Sequence, residues 1–143
     1  MTFNYSLLLL TVIFTMNTEA QILNKHQWKH RVILLLANDT DNSLLDSQLK
    51  EFKIKSNGFK DRKLILYSVL PKKYKLLNSE NNDWIENTEF YEAYHTGSKN
   101  FEIILIGLDG GVKLRQDSIL STEKLFATID AMPMRKAEMK RNR

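Results

Sequence analysis

Apolar residues along the chain fall into short runs, and the stretches between them carry a helical period. Val32 to Ala37 (VILLLA) is a continuous apolar run bounded by polar residues, which predicts a strand buried on both faces. Lys63 to Leu70 (KLILYSVL) predicts a second such strand, ended by Pro71, and Phe101 to Ile106 (FEIILI) a third. Val112 to Arg115 alternates, with Val112 and Leu114 on one face and Lys113 and Arg115 on the other, and predicts a fourth. Leu45, Leu49 and Phe52 recur at i, i+4 and i+7, the mark of an amphipathic helix from about Ser43 to Ile54, closed near Gly58. Asn38 to Asn42 before it is a polar loop rich in helix-capping residues. Phe90 and Tyr94 predict a short helix from Thr88 to His95. The run from Lys72 to Asn87 has no clear period, and Asn78 to Asp83 reads as loop.

The C-terminal third is the best-signed part. Leu108-Asp109-Gly110-Gly111 predicts a tight hairpin turn, because such turns demand positive φ and Gly supplies it. Ser121 is a good N-cap, with Leu120 and Leu125 at the staple positions on either side. Leu125, Ile129 and Met132 then form an apolar stripe that should bury Met132, and Pro133 marks the end of that helix. Met134 and Arg135 beyond it read as a structural clasp in which Met134 packs and Arg135 reaches a polar partner, with a ligand site as the alternative; if Arg135 instead holds the domain through a buried ion pair, Asp130 or Asp109 is the first candidate partner. Strands alternating with helices, followed by a hairpin and a last helix, predict an α/β/α sandwich around a mixed sheet of about four strands. The first crossover should be right-handed, with the first two strands parallel.

Length and composition place this domain in a compartment. The chain has 143 residues, enough for one domain. Leu7 to Met16 is an apolar run too short to span a bilayer comfortably, and Thr18-Glu19-Ala20 offers a small-x-small cleavage site before Gln21. Residues 1–20 are therefore expected to be a signal peptide, residues 21–133 the folded domain and residues 134–143 a basic C-terminal tail. Export to the periplasm or the extracellular space follows from that reading. The formal net charge is +4, and Arg135 to Arg143 alone holds five basic side chains against Glu138. A positive charge concentrated in a terminal run argues against a nucleic-acid face built on the fold. The chain contains no cysteine, which removes thiol redox catalysis, thiol nucleophiles and Cys-ligated zinc.

Two stretches carry a family resemblance: Leu105-Ile106-Gly107 through Asp109-Gly110-Gly111-Val112-Lys113-Leu114, and Ile129-Asp130-Ala131-Met132-Pro133-Met134-Arg135. Trp28-Lys29-His30-Arg31, ahead of the first strand, adds to them. With these, the span from Trp28 to Met139 resembles a thioredoxin-like domain of unknown function. That family is found in small bacterial exported proteins and in extracellular sushi-repeat-containing and coiled-coil-domain-containing proteins. Leu108 departs from the pattern, which usually has Lys there. The resemblance implies a thioredoxin-like sandwich. It would place a dithiol at Asn38 to Asn42 and a cis-proline near Ser98 to Asn100, and this sequence has neither sulfur nor proline at those positions.

Candidate chemistry is sparse. Lys113, Arg115 and Arg135 are the candidate anion-binding side chains, set against a plain solvated face; Asp109, Gly110 and Gly111 are the candidate turn residues. His26, Trp28 and His30 invite a metal or an aromatic box, but His95 is far off in sequence and no ligand spacing supports it. The alternative is an edge segment that packs Trp28 on the sheet. No calcium loop, phosphate loop or nucleophile constellation is legible. The expectation is a binding module for an envelope or extracellular protein, with no cofactor, metal or catalytic residue. The alternative is an enzyme of unknown reaction or an accessory to an envelope redox system.

Overall fold

The computed structural model describes residues 18–54 and 56–143, with side chains from Gln21 onward. The apolar run Leu7 to Met16 lies outside them. The expected cleavage position, between Ala20 and Gln21, falls inside the first helix, α1 (Thr18–Asn24).

The organising element is β1 (Arg31–Ala37), every residue of which is buried. Its apolar run lies between two neighbours and under two helical layers, which is why it shows no alternation. β2 (Leu64–Leu70) pairs with it in parallel, and β5 (Phe101–Ile106) pairs with its other edge antiparallel. β6 (Val112–Gln116) returns antiparallel to β5. Two more strands extend the β2 side: β3 (Lys73–Leu76) and the two-residue β4 (Ile85–Glu86). The sheet is thus six-stranded, in the order β4-β3-β2-β1-β5-β6, where about four strands were expected.

Alternate residues of the strands feed two cores. Ile33, Leu35 and Ala37 of β1 and Phe101, Ile103 and Leu105 of β5 pack under α2 (Ser43–Ile54), α3 (Asn57–Asp61) and α5 (Thr122–Asp130). Val32, Leu34 and Leu36, with Ile104 and Ile106, pack on the opposite face with Ile22 of α1 and with Phe90 and Tyr91 of α4 (Glu89–Tyr94). The expected capping holds at α2 and α5. Asn42 accepts from the amides of Leu44 and Leu45 at 3.0 and 3.1 Å, and Ser121 accepts from the amide of Lys124 at 3.2 Å. Leu120 and Leu125 are fully buried, as a staple requires.

Two differences from expectation have simple causes. The illegible stretch contains β3 because Asn78 substitutes its side chain for strand backbone: it accepts from Leu66 N at 2.9 Å and donates to Leu64 O at 2.8 Å, closing the β2 ladder. Lys73 and Lys75 stand 4.7 and 4.6 Å from the Trp84 ring, an arrangement no periodicity announces. The second difference is at the C terminus. Pro133 ends one helix and begins another, α6 (Pro133–Arg141), because proline is well suited to a first helical position. Residues 134–143, expected as a solvated tail, are mostly this helix, and it buries Arg135 and Glu138.

Candidate binding groove

Three stretches distant in sequence meet at the end of the sheet where β1 begins and β5 ends. The first is the turn after β5. Gly107 accepts from Gly110 N at 3.0 Å and donates to Gly111 O at 2.9 Å, and Gly110 takes φ of 83°. Asp109 braces the turn by accepting from Gly111 N at 2.9 Å and from Lys113 Nζ at 2.8 Å. The Lys113 bond, then the Gly111 amide, hold its carboxyl below the usual range. A side chain at Gly110 would find space, its nearest neighbour being the Gln27 amide at 3.6 Å, so the obstacle to substitution is the backbone. Gly110→Val is expected to lose about 1–2 kcal/mol, the cost of a left-handed conformation for an L-residue. An unchanged urea midpoint for that variant would refute the assignment.

The second stretch is the loop into β1. Trp28 sits at φ 65° and donates its amide to Leu108 O at 2.7 Å, tying loop to turn. Its side chain is 64% exposed, so it does not pack on the sheet as the alternative reading held. Arg31 opens β1 and is 1% exposed. Its Nη1 donates to Arg62 O at 3.0 Å and to Glu138 at 3.3 Å.

The third stretch is the junction of α5 and α6. Arg135, 3% exposed, donates to Asp130 at 3.1 Å, to Asp61 at 2.5 Å and to Glu138 at 3.4 Å. Arg62 forks onto the same Asp130 at 3.0 and 2.6 Å. Burial opposes the charge of Asp130, but its bonds to Arg62 and Arg135 outweigh it and hold the carboxyl below its ordinary value. The charges of Arg135 and Glu138 thus fix α6 to β1 and to the end of α3.

Between these stretches runs a groove of about 280 Å³ lined by Arg31, Gly107, Leu108, Asp109, Lys113, Met132, Pro133 and Met134. Leu108, the position where the resemblance expects Lys, is buried here and makes the floor apolar. Trp28, Val112 and Met134, on the same segments, are exposed large hydrophobic residues.

The model of the domain-of-unknown-function family DUF4174 matches residues 22–138, from Ile22 of α1 to the buried Glu138 of α6. The chain belongs to the DUF4174 family. No curated protein and no solved structure matches it.

The DUF4174 domain treats its three candidate cations differently. Lys113 lines the groove, but a register shift opposite Leu105 and Ile106 makes it a bulge residue. Arg115, two residues on, bonds to Tyr94 O at 2.8 Å and to Glu102 at 3.3 Å, beneath α4. Arg135 is a buried structural cation and not a free patch residue. The patch does not assemble from these three. Arg31 was the residue sequence reasoning missed: one charge at the mouth of an apolar run reads as a boundary, and nothing local announces that it is covered by a helix more than a hundred residues away.

His26 and His30 stand close together, Nδ1 to Nδ1 at 3.2 Å, and His26 Nε2 lies 2.7 Å from the Tyr67 hydroxyl. Burial first, then Lys25, His30 and Lys29, push His26 down to about 4. Among the described residues no group of three or more His, Asp or Glu gathers as a metal-binding set. At the other end of the sheet, in the loop after β1, Asn42 donates to Asn38 and to Asn100 O, each at 2.9 Å. Among the described residues no helix is long and apolar enough to cross a membrane.

Proposed function

We propose that this DUF4174 domain is an exported, thioredoxin-like binding module that works without thiol chemistry and docks an envelope or extracellular protein at the groove. The observation that carries the reading is the convergence at the groove. The turn, the loop into β1 and the Met-Pro-Met-Arg junction all contribute to it, and they leave Trp28, Val112 and Met134 exposed on the same segments. Apolar side chains exposed together beside a concave site are characteristic of docking surfaces. The thioredoxin-like assignment is supported by the order β2-β1-β5-β6, with β1 and β2 parallel and β5 antiparallel to both neighbours. Absence of a thiol route is supported by composition, since a chain with no cysteine cannot exchange disulfides through its own side chains. Export is supported by Leu7 to Met16 and the small-residue site at Ala20.

The test is site-specific photo-crosslinking in the native cell. A crosslinking residue at Met134 should yield a discrete adduct with an envelope or secreted protein, and one at Asp39, at the opposite end of the sheet, should not. Equal adducts from both positions, or none from Met134, would refute the reading. Recovery of the intact chain, residues 1–20 included, from the cytoplasm would refute the export half of it.

A further inference from the structure

Charge is spread unevenly over the fold, and the positive excess lies at the end of the sheet that carries the groove. Lys25 and Lys29 stand in the loop into β1, Lys60 in the last turn of α3, and Lys136, Lys140 and Arg141 along α6. All six side chains are exposed, and none of them pairs with an acid among the described residues. The acids of the same end are already engaged. Asp61 and Asp130 pair with Arg62 and Arg135, Asp109 with Lys113, and Glu138 with Arg31, Lys63 and Arg135. Nothing at this end offsets the six. Their field reaches into the loop as well: burial leads in lowering His26, and Lys25 and Lys29 add to it.

The groove itself is the apolar part of this end. Leu108, Met132 and Met134 line it, and Trp28 and Val112 stand exposed on the segments around it. Trp28 is also held in place. Its backbone takes φ of 65°, an outlier for so bulky a residue, and its amide bond to Leu108 O at 2.7 Å ties it to the turn. Strain of that kind gathers at binding sites, where it fixes a side chain in advance. A fixed, exposed tryptophan is the residue type most often found at the centre of a docking surface.

We infer that the segment docking here is an acidic peptide of the partner protein with an apolar anchor. The inference rests on the reading of this groove as the docking site and names what docks there. One large apolar side chain is seated on Leu108 and Met132, and the Asp and Glu residues beside it face the cations of the loop into β1 and of α6. A volume of about 280 Å³ is at the small end of ligand sites and suits a single side chain. Complementary charge then steers the segment and excludes basic partners. A nucleic acid or other polyanion would meet the cations but leave the groove empty and Trp28, Val112 and Met134 bare.

The test is fluorescence anisotropy of a labelled dodecapeptide, Leu-Phe at its centre and Asp and Glu on both sides, titrated with the purified protein. It should bind, and raising sodium chloride from about 0.05 to about 0.5 M should weaken it roughly tenfold or more. Replacing Leu-Phe by Ser-Ser, or every Asp and Glu by Asn and Gln, should each weaken binding roughly tenfold or more. Lys29→Glu with Lys136→Glu, both at exposed positions, should do the same. The equal charge change in Lys50→Glu with Lys72→Glu, on segments that take no part in the groove, should leave binding intact. Equal binding of the Ser-Ser peptide would make the face a polyanion site and overturn the inference. Equal binding of the uncharged peptide, or an equal loss in the two double variants, would overturn it too. So would phosphatidylglycerol vesicles that bind the protein and displace the peptide, which would assign the face to a membrane. A parent peptide that fails to bind while the Met134 crosslink persists would sink this inference and leave the docking face standing. Failure of both would sink both.

Discussion

Removing the Glu138 carboxylate, as in Glu138→Ala, should cost about 3–5 kcal/mol of stability, read as a fall in the urea midpoint at pH 7. The reason is the group left behind. Arg31 is 1% exposed, and Glu138 is its carboxylate partner; without it a guanidinium remains buried with only the Arg62 carbonyl to satisfy it. Breaking a buried pair from one side commonly costs that much, because the desolvation of the surviving charge is no longer offset. Arg135 loses the same partner and keeps Asp61 and Asp130. The double variant Arg31→Met with Glu138→Leu should recover most of the loss, since both charges are then gone. A single variant with the wild-type midpoint would mean that α6 is not held by this pair. A double variant as unstable as the single one would mean that the loss comes from packing.

How much of this was legible depended on the range of the interaction. Ser121, Leu120 and Leu125 announce a helix start because capping and stapling act within a few residues, and the structure has that start. β1 and β5 were legible because burial on both faces writes an almost continuous apolar run, broken in β5 only by Glu102. β3 was not, because its pairing with β2 is continued past Leu76 by a side chain, Asn78, doing the work of backbone. The last helix was misread for a related reason. Arg135 to Arg143 carries charge in almost every turn, and a charged segment looks solvated. Its buried face consists of Arg135 and Glu138, whose partners Asp61 and Arg31 are remote in sequence. Hydrophobic periodicity cannot reveal a face buried through ion pairs. The groove inherits that blindness. Its apolar members, Leu108, Met132 and Met134, were in view, and the buried ion pair of Arg31 with Glu138 beside them was not.

Acid should weaken the domain already between pH 7 and pH 5, because of His26. Its ring is packed between Tyr67 and His30, and burial together with Lys25, His30 and Lys29 lowers its value from 6.5 to about 4. His30 is lowered as well, burial again leading, with Lys29 and Lys63 adding to it. A histidine whose folded value lies below its unfolded one binds fewer protons in the native state, so stability falls as pH falls. The contribution is complete above about pH 6.5 and is lost by about pH 4. That gap, at about 1.4 kcal/mol per pH unit, corresponds to roughly 3 kcal/mol, of which about 2 should go between pH 7 and pH 5. Asp130 and Glu102 are held below their ordinary values, which themselves lie under pH 5, so they add little between pH 7 and pH 5. Denaturant unfolding at intervals from pH 7 to pH 5 should therefore show a steady decline in the wild type and a much shallower one in His26→Gln. The comparison uses the slope and not the absolute stability, so the lost Tyr67 contact in the variant does not matter. Equal slopes would show that His26 charges freely in the folded chain, and that the packing of the loop into β1 against Tyr67 is looser than its 2.7 Å contact indicates.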